Sequence, residues 1–119
     1  MTIAPMRDPE IRTVRPLEDG MALDLFLPAY LLVFQGHFPG FGILPGVAQI
    51  DWAVKFARRY LSMTDGTAPT FQVKFRQIIR PDSAVTLVLR RDWVKGRLLF
   101  EYRAGDEVMS SGNVMLEVT

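Results

Sequence analysis

The chain has 119 residues, 49% of them hydrophobic, and a formal net charge of +1. That length suits one domain, residues 1–119, with a proper apolar core, and the near-neutral charge gives no electrostatic footprint for a nucleic-acid backbone. With no cysteine and one histidine, His37, disulfides, thiolate catalysis and a zinc site lack their ligands, and the composition fits a soluble protein of the cytoplasm.

The first residues hold Pro5, Arg7, Asp8 and Pro9 and no apolar run of signal-peptide length. Residues 11–17 read as a short strand, and Glu18-Asp19-Gly20 as a turn. Residues 21–27 alternate loosely, with Asp24 the only charge, which makes a second strand and a hairpin. Pro28 ends it. The apolar stretch over residues 25–34 is broken by that proline and is too short to span a bilayer. Next come Gly36, Pro39, Gly40, Gly42, Pro45 and Gly46, a density that marks an irregular loop with backbone close to something.

Residues 47–61 make the one long helix. Pro45 suits its first turn, where a missing N–H costs nothing. Val47, Ile50, Val54, Ala57 and Leu61 share helical spacing and form one apolar face. Trp52, Ala53, Phe56 and Tyr60 extend it round much of the cylinder, leaving a strip of Asp51, Lys55, Arg58 and Arg59. A helix this apolar needs cover on more than one side, which a sheet wrapped around it provides. Residues 62–69 read as a loop. Four strands follow, over residues 70–79, 84–91, 97–102 and 108–118, separated by Pro81-Asp82, Gly96 and Gly105-Asp106. The layout is α+β, one helix against an antiparallel sheet of about six strands.

The loop and the helix start carry the chemistry. At a helix N-terminus several N–H groups lack partners and the dipole favours negative charge. Gly46 and Val47 would aim such groups at a carbonyl oxygen that gains charge during reaction. His37, with an ordinary pKa of about 6.5, can take a proton in its neutral form. Asp51 must be protonated to act as an acid, which near pH 7 asks for a shift of about 3 units, or roughly 4 kcal/mol of environment. Such a set suits removal of a proton beside a carbonyl and loss of a hydroxyl as water. The same residues have plainer readings. A lone loop histidine is commonly structural, and Asp51 with Lys55 one turn on makes an ordinary surface pair worth a few tenths of a kcal/mol, one that would oppose an acid role. Trp52 and Trp93 read as core or interface.

Gln35-Gly36-His37-Phe38-Pro39-Gly40, then Ile43-Leu44-Pro45-Gly46-Val47, then Asp51 six residues after Pro45, closely resemble the motif of the β-hydroxyacyl-(acyl carrier protein) dehydratases. Val73-Lys74-Phe75-Arg76, leading to Pro81 and Leu87, is similar to that family's third strand. The run over residues 47–52 also resembles a subgroup of short dehydratases of aryl-polyene and type II polyketide pathways. The resemblance implies a hotdog fold and dehydration of 3-hydroxyacyl thioesters to trans-2-enoyl thioesters. It implies His37 and Asp51 as the catalytic pair, Gly46 as the carbonyl binder, joined by Val47 from the reading of the helix start, and Phe38 and Pro39 as shapers of the loop. It implies no cofactor, a phosphopantetheine-bearing acyl carrier protein as partner, and a homodimer or a heterodimer with a second hotdog chain, His37 and Asp51 of one site coming from different chains. Lys74 and Arg76 are the candidate contacts to the acidic carrier protein. Phe34, Phe38, Phe41 and Trp52 are candidates for the lining. Lys55 stands where the family usually has Gln. A hotdog thioesterase and a non-catalytic hotdog subunit are the competing readings.

Overall fold

A computed structural model of the chain describes residues 7–34, 42–65 and 71–118. Among the described residues, seven strands and one long helix make up the architecture. Strand β1, Glu10–Leu17, and strand β2, Gly20–Leu27, form the expected hairpin, with Leu17 opposite Gly20. A short 3-10 turn, Leu32–Phe34, and the helix α1, Gly46–Leu61, follow. Then come β3, Met63–Asp65, β4, Phe71–Phe75, β5, Ser83–Asp92, β6, Arg97–Ala104, and β7, Glu107–Val118. All pairings are antiparallel, in the order β1-β2-β5-β6-β7-β3, with β4 also on β7.

This is the hotdog layout, with the helix packed against the sheet. The alternation that marks each strand also sorts it. Leu23, Leu25 and Leu27 of β2, Val85, Leu87 and Leu89 of β5, and Leu98, Phe100 and Tyr102 of β6 are all buried. Most of their neighbours are more exposed, as a period of two demands, with Ala22 beside Leu23 also buried. Ala48, Trp52, Ala53, Phe56, Ala57 and Leu61 of the helix fill the other side of that core.

Two expectations need correction. Residues 62–69 do not begin a simple loop, because Ser62 adopts a left-handed conformation (φ 52°) that caps the helix, and Met63–Asp65 turns back to pair with the end of β7. Strand β4 stops at Phe75 rather than running to residue 79. The N–H groups of Arg76 and Gln77 both donate to the Met109 carbonyl, at 2.9 and 3.0 Å, so two residues share one partner and the ladder ends. No helix among the described residues is long and apolar enough to cross a membrane.

Candidate functional site around the start of the helix

The approach to the helix is held by its neighbours. The Leu44 N–H donates to the Ile79 carbonyl at 2.8 Å. Gly42 lies so close to Pro81 that an added Cβ would come within 2.3 Å of its ring. Pro45 then stands at the N-cap with no side-chain acceptor, and the first turn carries no acidic residue. The N–H groups of that turn are therefore without side-chain caps, as an anion- or carbonyl-binding helix start requires.

A buried polar network holds this turn to the sheet. Gln49, only 3% exposed, donates from Nε2 to the Leu44 carbonyl at 3.2 Å and accepts at Oε1 from the fully buried Ser110 hydroxyl at 2.6 Å. The Tyr102 hydroxyl donates to the Gln49 backbone carbonyl at 2.7 Å. Burial, and then the negative charge of Asp51, push the Tyr102 phenol well above its ordinary value, so it serves as a neutral donor. The expected apolar stripe did not single out this network. A lone glutamine inside an apolar helical stretch was its only signal in the sequence.

The helix has two apolar sides, and one of them is left partly open. Val47 is 80% exposed, while Ile50 and Val54 are partly buried. Of the expected face, Ala57 and Leu61 are buried in the core, Ile50 and Val54 pack partly buried against it, and only Val47 at the helix start is open, while Ala48, Trp52 and Phe56 turn fully to the core. Val47, Ile50, Asp51, Val54, Lys55 and Arg58 line an apolar cleft of about 430 Å³, closed on the far side by Phe71 and Val114. Asp51 is exposed and also borders a second cavity of about 510 Å³, between the helix start and the segment at Arg7 and Asp8. One carboxyl therefore sits between two hollows.

The other expected site residues separate. Gly46 faces protein, because an added Cβ would lie 2.5 Å from the Phe75 Cζ. Its missing side chain makes room for that ring at the helix start. Arg76 joins Gly46, Pro45 and Phe75 around a cleft of about 300 Å³. Lys74 does not. Phe71 and Phe75 mark the helix side of β4, and alternation puts Lys74 on the other face. Trp52 is core, 2% exposed, and Phe34 packs partly buried against that core, whereas Trp93 is 62% exposed and belongs to no core. His37, Phe38, Pro39 and Phe41 lie outside the described residues. Lys55 does not pair with Asp51. Its ammonium lies 2.6 and 2.7 Å from the two carboxylate oxygens of Asp8, and no ion pair to Asp51 occurs among the described residues. Asp8 lies 47 positions away in sequence, a separation that offered no signal. Among the described residues no group of carboxylates and histidine could hold a metal ion.

Comparison with known proteins gives the family and the fold. The model of the ApeI-like family, described as ApeI dehydratase, matches residues 13–113. A dehydratase heterocomplex, ApeI:P from Xenorhabdus doucetiae, contains a chain that is 31% identical, with a TM-score of 0.81 over 92% of this chain and 97% of that one. An uncharacterised protein from Erwinia carotovora subsp. atroseptica is 32% identical with a TM-score of 0.73, over 92% of this chain and 96% of its own. The 3-hydroxyacyl-[acyl-carrier-protein] dehydratase FabZ of Oenococcus oeni is 35% identical over 72 residues, and the match spans about half of its length, 52%. A family match across nearly the whole described fold, with the helix start and Asp51 inside it, places the chain in the ApeI-like dehydratase family.

Proposed function

We propose that the chain dehydrates 3-hydroxyacyl groups carried as thioesters on acyl carrier protein, giving the trans-2-enoyl thioester and water. The observation that carries this reading is Asp51, set one turn into a helix whose start has no side-chain cap, beside an apolar cleft and within the ApeI-like family. The thioester carbonyl accepts from N–H groups of the first turn, at Gly46 and Val47. Neutral His37 takes a proton from the carbon next to the carbonyl. The electron pair moves into the carbonyl oxygen, whose growing charge the helix start stabilises. Asp51, protonated, gives its proton to the 3-hydroxyl, which leaves as water as the double bond forms. Each proton transfer of this kind contributes about 10²–10⁴-fold to rate, and no cofactor enters the balance. Phe38 and Pro39 shape the loop that carries His37.

A second hotdog chain completes the site in this reading. Val47, Phe71 and Phe75 are large apolar side chains, 80%, 54% and 52% exposed, grouped around the helix start and the β4 edge. That much apolar surface around a reaction site calls for cover. The ApeI:P relative is a heterocomplex, which favours a heterodimer over a homodimer. Arg76 at the cleft is the better placed contact for an acidic carrier protein, and Lys74 serves the rim. A chain without cysteine suits a reducing cytoplasm.

The test incubates the purified chain, alone and with a partner hotdog chain, with a 3-hydroxyacyl-carrier protein. Enoyl product with the thioester intact is expected. Released thiol without enoyl product would make the chain a thioesterase. Enoyl product that persists when Asp51 and His37 are both replaced in this chain, with the partner present, would make it the non-catalytic subunit.

A further inference from the structure

Asp51 and Lys55 lie one helical turn apart, close enough for a lysine to reach a carboxylate. The structure gives Lys55 another partner. Its Nζ sits 2.6 and 2.7 Å from the two Asp8 carboxylate oxygens. Asp8 is delivered there by a second contact, since the Trp52 Nε1–H donates to the Arg7 carbonyl at 3.2 Å. Trp52 is itself locked in the core. Two consecutive residues of the N-terminal segment are thus fastened across the helix, and with Leu32, Val33 and Pro45 they wall the cavity that Asp51 borders.

Among the described residues, few charged and titratable groups lie around Asp51. From its own helix come Lys55 and Arg58, from the N-terminal segment Arg7 and Asp8, and from β6 the Tyr102 phenol. Among the described residues, strands β4 and β7 offer Phe71 and Val114 to the cleft, and the 3-10 turn offers Leu32 and Val33 to the other cavity. Lys55 is the cation that helical spacing would hand to Asp51.

We infer that the Asp8–Lys55 pair is a positioning device that keeps the Lys55 ammonium off the Asp51 carboxyl, so that this carboxyl can carry the proton the leaving hydroxyl needs. This rests on the reading of Asp51 as the acid. A freed ammonium beside Asp51 would favour the ionised carboxylate, and the proton would be lost at lower pH. Asp8 acts through Lys55 and touches no reacting atom.

The experiment compares kcat against pH for the wild-type complex, Asp8→Asn, the double variant Asp8→Asn/Lys55→Gln, and Asp51→Asn. The Asp8–Lys55 pair is a half-exposed surface contact, so Asp8→Asn is expected to keep its fold, checked by circular dichroism and melting. Its basic limb should move down by about one pH unit, a roughly tenfold loss of kcat on that limb. The double variant should return the limb toward the wild-type position. Should Asp8→Asn not fold, the same comparison is made with Asp8→Ala. A limb that stays in place when Asp8 is replaced overturns the inference. So does a shift that the double variant fails to reverse, which would mean the segment acts only as a wall. An active Asp51→Asn would instead defeat the reading of Asp51 as the acid, whatever Asp8 does.

Discussion

Replacing Ser110 with alanine isolates the network that ties the helix start to the sheet. The two side chains differ by one hydroxyl, and the site is fully buried, so no apolar contact is lost. What is lost is the 2.6 Å donor to the Gln49 amide oxygen. That oxygen is then a buried acceptor without a partner, because the amide nitrogen is committed to the Leu44 carbonyl. Leaving such a group unsatisfied costs about 1–3 kcal/mol. For a chain of this size that is a fall in melting temperature of about 4 °C per kcal/mol. The assay is urea unfolding at fixed protomer concentration, since association adds to apparent stability. The midpoint should fall with the slope unchanged. Ser111→Ala, one residue on and on the opposite face, should change stability by no more than about 0.5 kcal/mol. If Ser110→Ala behaves like Ser111→Ala, the network is not what holds the first turn in place.

Gly46→Ala pushes a methyl to within 2.5 Å of the Phe75 Cζ. Overpacking costs about 1–3 kcal/mol, and here the low end is expected because the ring is half exposed and can swing outward. Dehydration should fall further than stability, and Phe75→Leu in the same chain should restore part of it; melting and turnover measured together check this. Val47→Asp places a charge on a side chain 80% exposed in the isolated chain, so the fold should persist while association weakens, read by sedimentation. Acid should destabilise the protein through Asp24 and Asp92. The Thr13 and Thr86 hydroxyls and Arg15 hold Asp24 below 3.8, and the Lys95 N–H and Arg97 do the same for Asp92. Carboxyls depressed in the folded state contribute stability that is fully present above their unfolded value of 3.8 and lost as pH falls through the lower folded values. Asp24→Asn should flatten that acid limb in urea titrations.

The strands were legible because alternation and turn residues agree. The hairpin of residues 11–27 and the strands over 84–91 and 97–102 appear within a residue or two of their expected bounds. Strand β3 was not, since three residues have no period to read and pair only because β7 is long enough to reach them. The helix was clear in extent but not in orientation. Its apolar residues run round most of the cylinder, so spacing could not say which side meets the chain's own sheet and which stays open. The motif pointed to Asp51 and the helix start. It could not show that Lys55 turns to Asp8, because that pair joins distant parts of the chain. Nor could it show that Gly46 makes room for Phe75, since a missing side chain leaves no mark of what fills its place.

The claim that most of this depends on is that Asp51 gives the proton. It is tested by the rate at which Asp51→Asn converts a 3-hydroxyacyl-carrier protein to the trans-2-enoyl form, read by mass spectrometry as the loss of one water. The exposed side chain makes the substitution close to neutral for the fold, so melting should stay near that of wild type. The rate should fall by at least about 10²-fold, as it should for His37→Ala. A folded Asp51→Asn that dehydrates at the wild-type rate would contradict the account.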